Sequence, residues 1–167
     1  MNTITNIFHV GLYCNDIQQH MQATEKLTQP NGFYMRKQKD INENVRAILI
    51  DWLISVHAKF KLLPETLYLT VNLIDRYFSM FNVAKSEVQL VGITGLLIAT
   101  KYEEIYPPTV KDFIYLTDQT FTRAQLLQME KNMLFSLQFD IQQTSPYRFL
   151  ERFSKIAQAD SIIFYLA

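Results

Sequence analysis

The sequence has 167 residues, enough for one good-sized domain and the start of a second. Hydrophobic residues make up 49% of it, whereas Gly and Pro number only 4 and 5. This balance excludes global disorder and favours long helices over a turn-rich β fold. Lys and Arg together number 16, as do Asp and Glu, so no net charge would attract nucleic acid or an anionic membrane.

Cys14 is the only cysteine, which excludes an internal disulfide and favours a reducing compartment. The N-terminus lacks the basic and apolar pattern of a signal peptide. The longest uncharged run, residues 88–100, is too short to span a bilayer and predicts a buried core helix instead. We therefore expect no membrane partner.

Two segments precede the main helical region. Residues 1–12 are weakly patterned and predict a loose lead-in. Residues 16–27 are polar, with Ile17 and Met21 on one side, and predict a short amphipathic helix. A turn at residues 29–32 follows it, so we expect residues 13–33 to form a helix and turn ahead of the main domain.

The next predicted helix, residues 45–60, is apolar on two faces. Asn42 or Asn44 can cap its start. One face carries Val45, Ile48, Leu49, Trp52, Leu53, Val56 and Phe60, and the opposite face carries Ala47, Ile50, Ile54 and Ala58. Such a helix is either surrounded by other helices or buried on one side while it docks a partner on the other.

Proline and capping signals predict further helices at residues 64–79, 85–102, 109–117 and 122–137, and another opened by Ser145 and Pro146. Gly92 and Gly95 lie within the second of these, where small residues allow neighbouring helix backbones to approach closely. No segment with strand periodicity competes. The predicted fold is all-α: about five helices around one another, a helix before them and an unfinished one after.

No constellation in the sequence predicts catalysis or metal binding. Asp51 and Ser55 are neighbours on one helix, but His57 lies about 160° around from Ser55 at roughly 100° per residue, so the three cannot converge. His9, His20 and His57 lack the spacing of a zinc site. We therefore expect no catalytic residue, no metal and no cofactor.

Two charges stand out because of their apolar surroundings. Lys101 closes the long uncharged run, and Glu130 lies within an otherwise apolar helix. They are either a surface pair worth at most about 1 kcal/mol or groups that protrude from a helical platform to hold a partner.

Nearly the whole chain resembles the cyclin family, and several motifs in family order carry the resemblance. They are residues 34–41, Arg46 to Leu53, Glu65 to Leu67, Ile74 to Tyr77, Gln89 to Gly92, Lys101 to Pro108, and Gln128 to Glu130. The resemblance implies a five-helix cyclin box at residues 34–142. It also implies a regulatory subunit that does no chemistry itself but binds and activates a cyclin-dependent serine/threonine kinase by pressing on its mobile C-helix.

The resemblance implies a kinase-binding surface. Lys101 and Glu130 match the polar anchors. The other matched contacts are Tyr102, Glu104, Leu134, Phe139 and Ile141, together with Tyr13 and Ile17 of the N-terminal helix. His20 stands where relatives often carry tyrosine.

A second implied surface docks Arg-x-Leu motifs of substrates and inhibitors. The matching residues are Val45, Ile48, Leu49, Trp52, Val88 and Gln89. On this basis we assign Val45, Leu49 and Trp52 to a docking groove, and the Ala47 and Ile54 face of the same helix to the core. Val45 replaces the usual methionine, and Ser55 replaces an acidic residue that would meet the motif's arginine. We expect weaker selection for that arginine.

Residues 149–156 are similar to a stretch of B-type mitotic cyclins, which implies a role at G2/M in the nucleus and cytoplasm. Residues 143–167 resemble the start of a truncated second cyclin box. They end on the apolar run 162–166, whose surface needs a partner. Arg46–Leu49 and Arg123–Leu126 match the letters of a destruction motif, but both lie in predicted helices, where chance is the better interpretation.

Two alternatives stay open. The chain could be a truncated cyclin-box module that binds a kinase or peptides without activating it. It could also be a nucleic-acid-binding relative of the fold, although its neutral charge argues against this. An enzyme is the weakest hypothesis, because no nucleophile and base converge.

Overall fold

A computed structural model describes residues 13–158, and that part of the chain is helical with no strand. The prediction of an all-α fold is confirmed. Three short 3₁₀ turns lie at Glu25–Thr28, Tyr34–Lys37 and Lys85–Glu87. The seven α-helices of the described residues are α1 Cys14–Thr24, α2 Glu43–Phe60, α3 Pro64–Met80, α4 Val88–Glu103, α5 Val110–Leu116, α6 Arg123–Ser136 and α7 Pro146–Ile156.

The helix starts follow the capping signals of the sequence. The Asn42 side chain accepts a hydrogen bond from the Val45 N–H at 3.1 Å and caps α2. Thr109 and Thr122 each form a complete capping box, with Asp112 and Gln125 respectively. These local contacts set where α2, α5 and α6 begin.

Helix α4 is the centre of the core. All its residues from 90 to 100 are buried, and α2, α3, α5 and α6 pack around it. A Cβ atom added to Gly92 would lie 2.6 Å from Leu49 Cδ1 of α2, and one added to Gly95 would lie 2.9 Å from Ile74 Cγ1 of α3. The prediction that small residues allow close helix approach here is confirmed.

The assignment of the Ala47, Ile50, Ile54 and Ala58 face of α2 to the core was wrong. Leu49, Leu53 and Val56 are the buried residues of this helix. Of the face assigned to the core, Ala47 and Ala58 are exposed, Ile50 is half-buried and Ile54 is 46% exposed. The physical reason is that α2 packs on α4 through one stripe, so its opposite face turns away from the core.

A polar network ties α2 and the segment before it to α3. The Arg46 guanidinium donates to both carboxylate oxygens of Asp75, at 2.7 and 2.6 Å, and the Tyr34 hydroxyl donates to Asp75 Oδ1 at 2.6 Å. Burial and the hydrogen bond to Asp75 raise the pKa of Tyr34 above its usual range. Arg46 and Tyr34 therefore supply hydrogen bonds to both oxygens of this buried carboxylate.

The loose lead-in at residues 1–12 and the apolar run at 162–166 lie outside the described residues. The described part of α7 places Phe149 and Phe153 beside α3, with ring centroids 6.1 Å apart. The boundaries expected for the lead-in, the cyclin box and the second box stay predictions.

Candidate functional site

Lys101 and Glu130 meet at the surface where α4 ends beside the middle of α6. Lys101 Nζ donates to Glu130 Oε1 at 2.5 Å. The Lys101 side chain is 47% exposed, whereas that of Glu130 is only 12% exposed. The two predicted anchors therefore lie together, and each satisfies the other in the free chain. The ammonium group has three N–H donors, so two stay available for a partner.

Exposed aromatic side chains lie on the same two helices and on the turn after α6. Tyr102 and Phe139 are exposed, as the predicted role requires, while Leu134 and Ile141 pack partly buried against the core. Phe135 was not in the predicted site; it is 62% exposed and packs edge-to-face on Phe139 with centroids 5.4 Å apart. Its position directly after Leu134 on α6 was the available signal.

The turn that carries Phe139 has an unusual backbone. Gln138 and Phe139 have φ values of 54° and 58°, a left-handed conformation that costs non-glycine residues energy and needs support from its surroundings. Arg76 of α3 provides it, because its Nη1 donates to the Asp140 carbonyl at 2.8 Å. Burial lowers the pKa of the Arg76 guanidinium. Arg76 of α3 thus supports the turn that presents the exposed Phe139 ring.

Glu104 lies at the start of α3, where it serves as a cap. Its Oε1 accepts hydrogen bonds from the Leu63 N–H at 2.8 Å and from the Thr66 hydroxyl at 2.6 Å. Its assignment to partner binding stays a prediction, since one of its oxygens is occupied within the chain. Ile105 and Tyr106, which follow it, are highly exposed and were not in the predicted site.

Helix α1 presents the two N-terminal residues of the predicted site. Tyr13 and Ile17 are one turn apart, and both are exposed. None of the residues of α1 is buried. Its exposed apolar side chains are therefore free to meet another molecule, but burial does not hold the helix in place.

Some residues of the predicted docking groove lie at the surface, and others are buried beneath it. Ile48 is 71% exposed, and Val45, Trp52 and Gln89 are half-buried. In contrast, the side chains of Leu49 and Val88 are buried in the core, so they offer no surface of their own. Ser55 is exposed and donates to the Asp51 carbonyl at 3.2 Å. The expectation that Ser55, in place of an acidic residue, weakens selection for the peptide arginine stays a prediction.

A second apolar groove lies on the face of α2 that was wrongly assigned to the core. Its volume is about 790 Å³, and it runs between α2, α3 and α7. Its apolar lining includes Ile50, Ile54, Leu67, Val71, Phe149 and Phe153. Ile50 and Ile54 of α2 therefore line this groove and are not part of the buried core.

The geometry of α2 and its neighbours offers no catalytic constellation. His57 Nε2 lies 2.9 Å from the Leu63 carbonyl, while the Ser55 hydroxyl bonds to the Asp51 backbone. Over residues 13–158, no group of three His, Cys, Asp or Glu side chains is placed to hold a metal. In the same range no helix is both long and apolar enough to cross a membrane. His9 lies outside the described residues.

Comparison with known families matches residues 16–142 to the cyclin N-terminal domain. The chain is similar to the G2/mitotic-specific cyclin-B of Dictyostelium discoideum, at 45% identity over 91% of the chain and 35% of the relative. It is 50% identical to cyclin-B2-1 of Arabidopsis thaliana, over 89% of the chain and 34% of the relative. The G2/mitotic-specific cyclin-A of Hydra viridissima is 45% identical over 96% of the chain and 39% of the relative.

These relatives are longer proteins, of which the chain spans little more than a third. A viral cyclin from herpesvirus saimiri has a similar structure, with a TM-score of 0.76 and 23% identity, over 92% of this chain and 66% of the viral one. At that identity the likeness supports the helical fold alone.

Proposed function

This chain belongs to the cyclin family, and we propose that it is a B-type regulatory subunit that binds and activates a cyclin-dependent serine/threonine kinase at G2/M. The observation that carries the proposal is the half-exposed Lys101–Glu130 pair, which joins the end of α4 to the middle of α6. In this role the chain does no chemistry. We also propose that it acts in the nucleus and the cytoplasm, which imaging of the tagged chain would test.

The surface can recognise backbone groups at the end of a partner helix. Lys101 keeps two N–H donors for carbonyl oxygens, and Glu130 keeps one carboxylate oxygen for an N–H. A partner that covers the pair would exclude water from these polar contacts, and hydrogen bonds strengthen in such a low-dielectric setting. Activation is then a population shift, because a chain that binds the active kinase arrangement better stabilises it.

A second part of the proposal concerns substrate recruitment. The exposed Ile48 with the half-buried Val45 and Trp52 forms an apolar surface on α2, suited to the leucine of an Arg-x-Leu peptide. Ser55 supplies no carboxylate for the arginine, so we propose weak selection at that position. Substitution of the peptide arginine by glutamine should change affinity only a few-fold.

The direct test mixes the purified chain with a cyclin-dependent kinase and measures both binding and histone phosphorylation. Binding with activation supports the proposal, and binding without activation favours a module that only competes for partners. Absence of binding to every such kinase would overturn it.

The anchors are tested by the double variant Lys101→Ala with Glu130→Ala. Interface residues of this kind are worth about 2 kcal/mol or more when truncated, so affinity should fall about 30-fold or more. Lys111→Ala, which removes an exposed lysine of α5, is the matched control and should bind normally. Unchanged affinity in the double variant would remove both residues from the interface.

A further inference from the structure

Helix α1 is attached to the rest of the molecule in an unusual way. It spans 11 residues, none of them buried, so hydrophobic burial contributes little to its position. A helix of this length is also marginal by itself in water. Only Gln18 and Met21 in its middle are half-buried, so the specific contacts at its two ends add to a limited packing contact.

At its C-terminal end, the Thr24 hydroxyl lies 3.0 Å from the Thr144 hydroxyl. At its N-terminal end, the contact comes from Arg152 of α7, 138 residues later in the chain. Arg152 Nη1 donates to the Cys14 carbonyl at 2.8 Å and also contacts Cys14 Sγ, while Nη2 donates to Asn15 Oδ1 at 3.2 Å. One guanidinium thus holds two successive residues of the first turn of α1.

The chemistry of arginine suits this task. Its planar fork is rigid and always charged, and it can bond to two acceptors at once, whereas a lysine ammonium acts as a single flexible point. The acceptors of Arg152 lie directly after Tyr13 and one turn before Ile17, the two exposed side chains at the start of α1 that are assigned to the kinase. Fixing the first turn therefore fixes the direction of both.

We propose that Arg152 is a positioning residue for partner binding. It holds the start of α1 against α7 so that Tyr13 and Ile17 are presented together with the Lys101 surface. This inference rests on the proposed kinase-binding function. A helix that is already in place loses less conformational freedom on binding, so Arg152 acts on affinity and not on the activated state itself.

The test compares Arg152→Gln with Lys155→Gln. Lys155 lies one turn further on α7 and bonds to Glu151 of the same helix, so its variant removes one charge from α7 without touching α1. In the free chain, amide hydrogen exchange of residues 14–24 should become at least about tenfold faster in Arg152→Gln and stay unchanged in Lys155→Gln. Arg152→Lys should restore only part of the protection.

With the kinase present, Arg152→Gln should raise the chain concentration needed for half-maximal activation several-fold and leave maximal activity unchanged. Tyr13→Ala should cost less affinity in the Arg152→Gln background than in the unaltered chain, because the two changes act through the same helix. Full additivity of the two changes would overturn the positioning role.

Two outcomes separate the possible failures. If the unaltered chain binds no kinase, the proposed function fails, whereas the hydrogen-exchange comparison still decides whether Arg152 positions α1. If Arg152→Gln also makes hydrogen exchange in α7 faster, the variant Asn15→Ala tests the positioning role instead, since Asn15 is exposed and lies on α1. Faster exchange in α1 with α7 unchanged supports the inference, and unchanged exchange in α1 overturns it.

Discussion

Helices α4 and α1 are positioned by opposite means. Of the 16 residues of α4, 12 are buried, with Leu49 and Ile74 packed against its glycines. Helix α1 has no buried residue and is held by polar contacts at its ends. Close packing fixes a helix with little tolerance, whereas polar tethers can open locally without unfolding the core. The proposed kinase surface draws on both kinds of element.

The largest expected effect tests the packing side of this contrast. Leu97 of α4 is fully buried, so Leu97→Ala should lower the free energy of unfolding by about 2–5 kcal/mol through lost contacts and the cavity left behind. Ile17→Ala on α1 removes a comparable apolar side chain that is exposed, and should cost less than about 0.5 kcal/mol. Urea unfolding measures both. Equal costs would abolish the distinction between the two helices.

A smaller effect is expected where a polar network is itself buried. Asp75→Asn leaves the Arg46 guanidinium without its anionic partner, and we expect a loss of about 2 kcal/mol, below the usual range for buried pairs because Arg46 is partly exposed. Tyr34→Phe removes one hydrogen bond and should cost about 1 kcal/mol. If Asp75→Asn left the melting temperature unchanged, this buried network would add no measurable stability. Polar contacts would then matter no more in the core than they do for α1.

The same network predicts a pH dependence. Because the pKa of Tyr34 is raised in the folded chain, its contribution to stability is complete below the unfolded value of about 10 and is lost as the pH rises through the folded value. Unfolding free energies measured between pH 8 and pH 11 should therefore fall more steeply in the unaltered chain than in Tyr34→Phe. Parallel curves would contradict this assignment.

Small effects are also expected at two capping boxes on the periphery. Thr109→Ala and Thr122→Ala should each cost about 1 kcal/mol at neutral pH. Hydrogen bonds from Thr109 lower the pKa of Asp112, so the first box stabilises above the unfolded value of about 3.9 and weakens as the pH falls through the folded one. The second box uses the neutral Gln125. Melting at pH 7 and pH 3 should reveal acid sensitivity only in the box closed by Asp112.

Local features of the fold could be predicted from the sequence because they depend on neighbouring residues. The caps at Asn42, Thr109 and Thr122 and the small residues of α4 are all confirmed. The faces of α2 could not be resolved in the same way. Both faces are apolar, and helical periodicity alone does not say which one meets the core.

Sequence patterns allowed one contact between distant residues to be anticipated, but not two others. The pairing of Lys101 with Glu130 was among the alternatives considered, because both charges interrupt apolar stretches. The contact of Arg152 with Cys14 has no comparable signal, since an arginine in an amphipathic helix is ordinarily solvated. Glu104 likewise gives no sequence cue that its carboxylate caps a helix 38 residues earlier.

In the proposed complex, the Lys101–Glu130 contact also governs how the kinase approaches. With opposite charges 2.5 Å apart, the pair presents a short dipole to the solution instead of a net charge. The field of a dipole decays faster with distance than that of an ion, and salt screens what remains beyond about 10 Å. Encounter is then guided little by long-range attraction, and recognition is decided within the first hydration layers, where the correct partner exchanges its own hydrogen bonds for those of the pair.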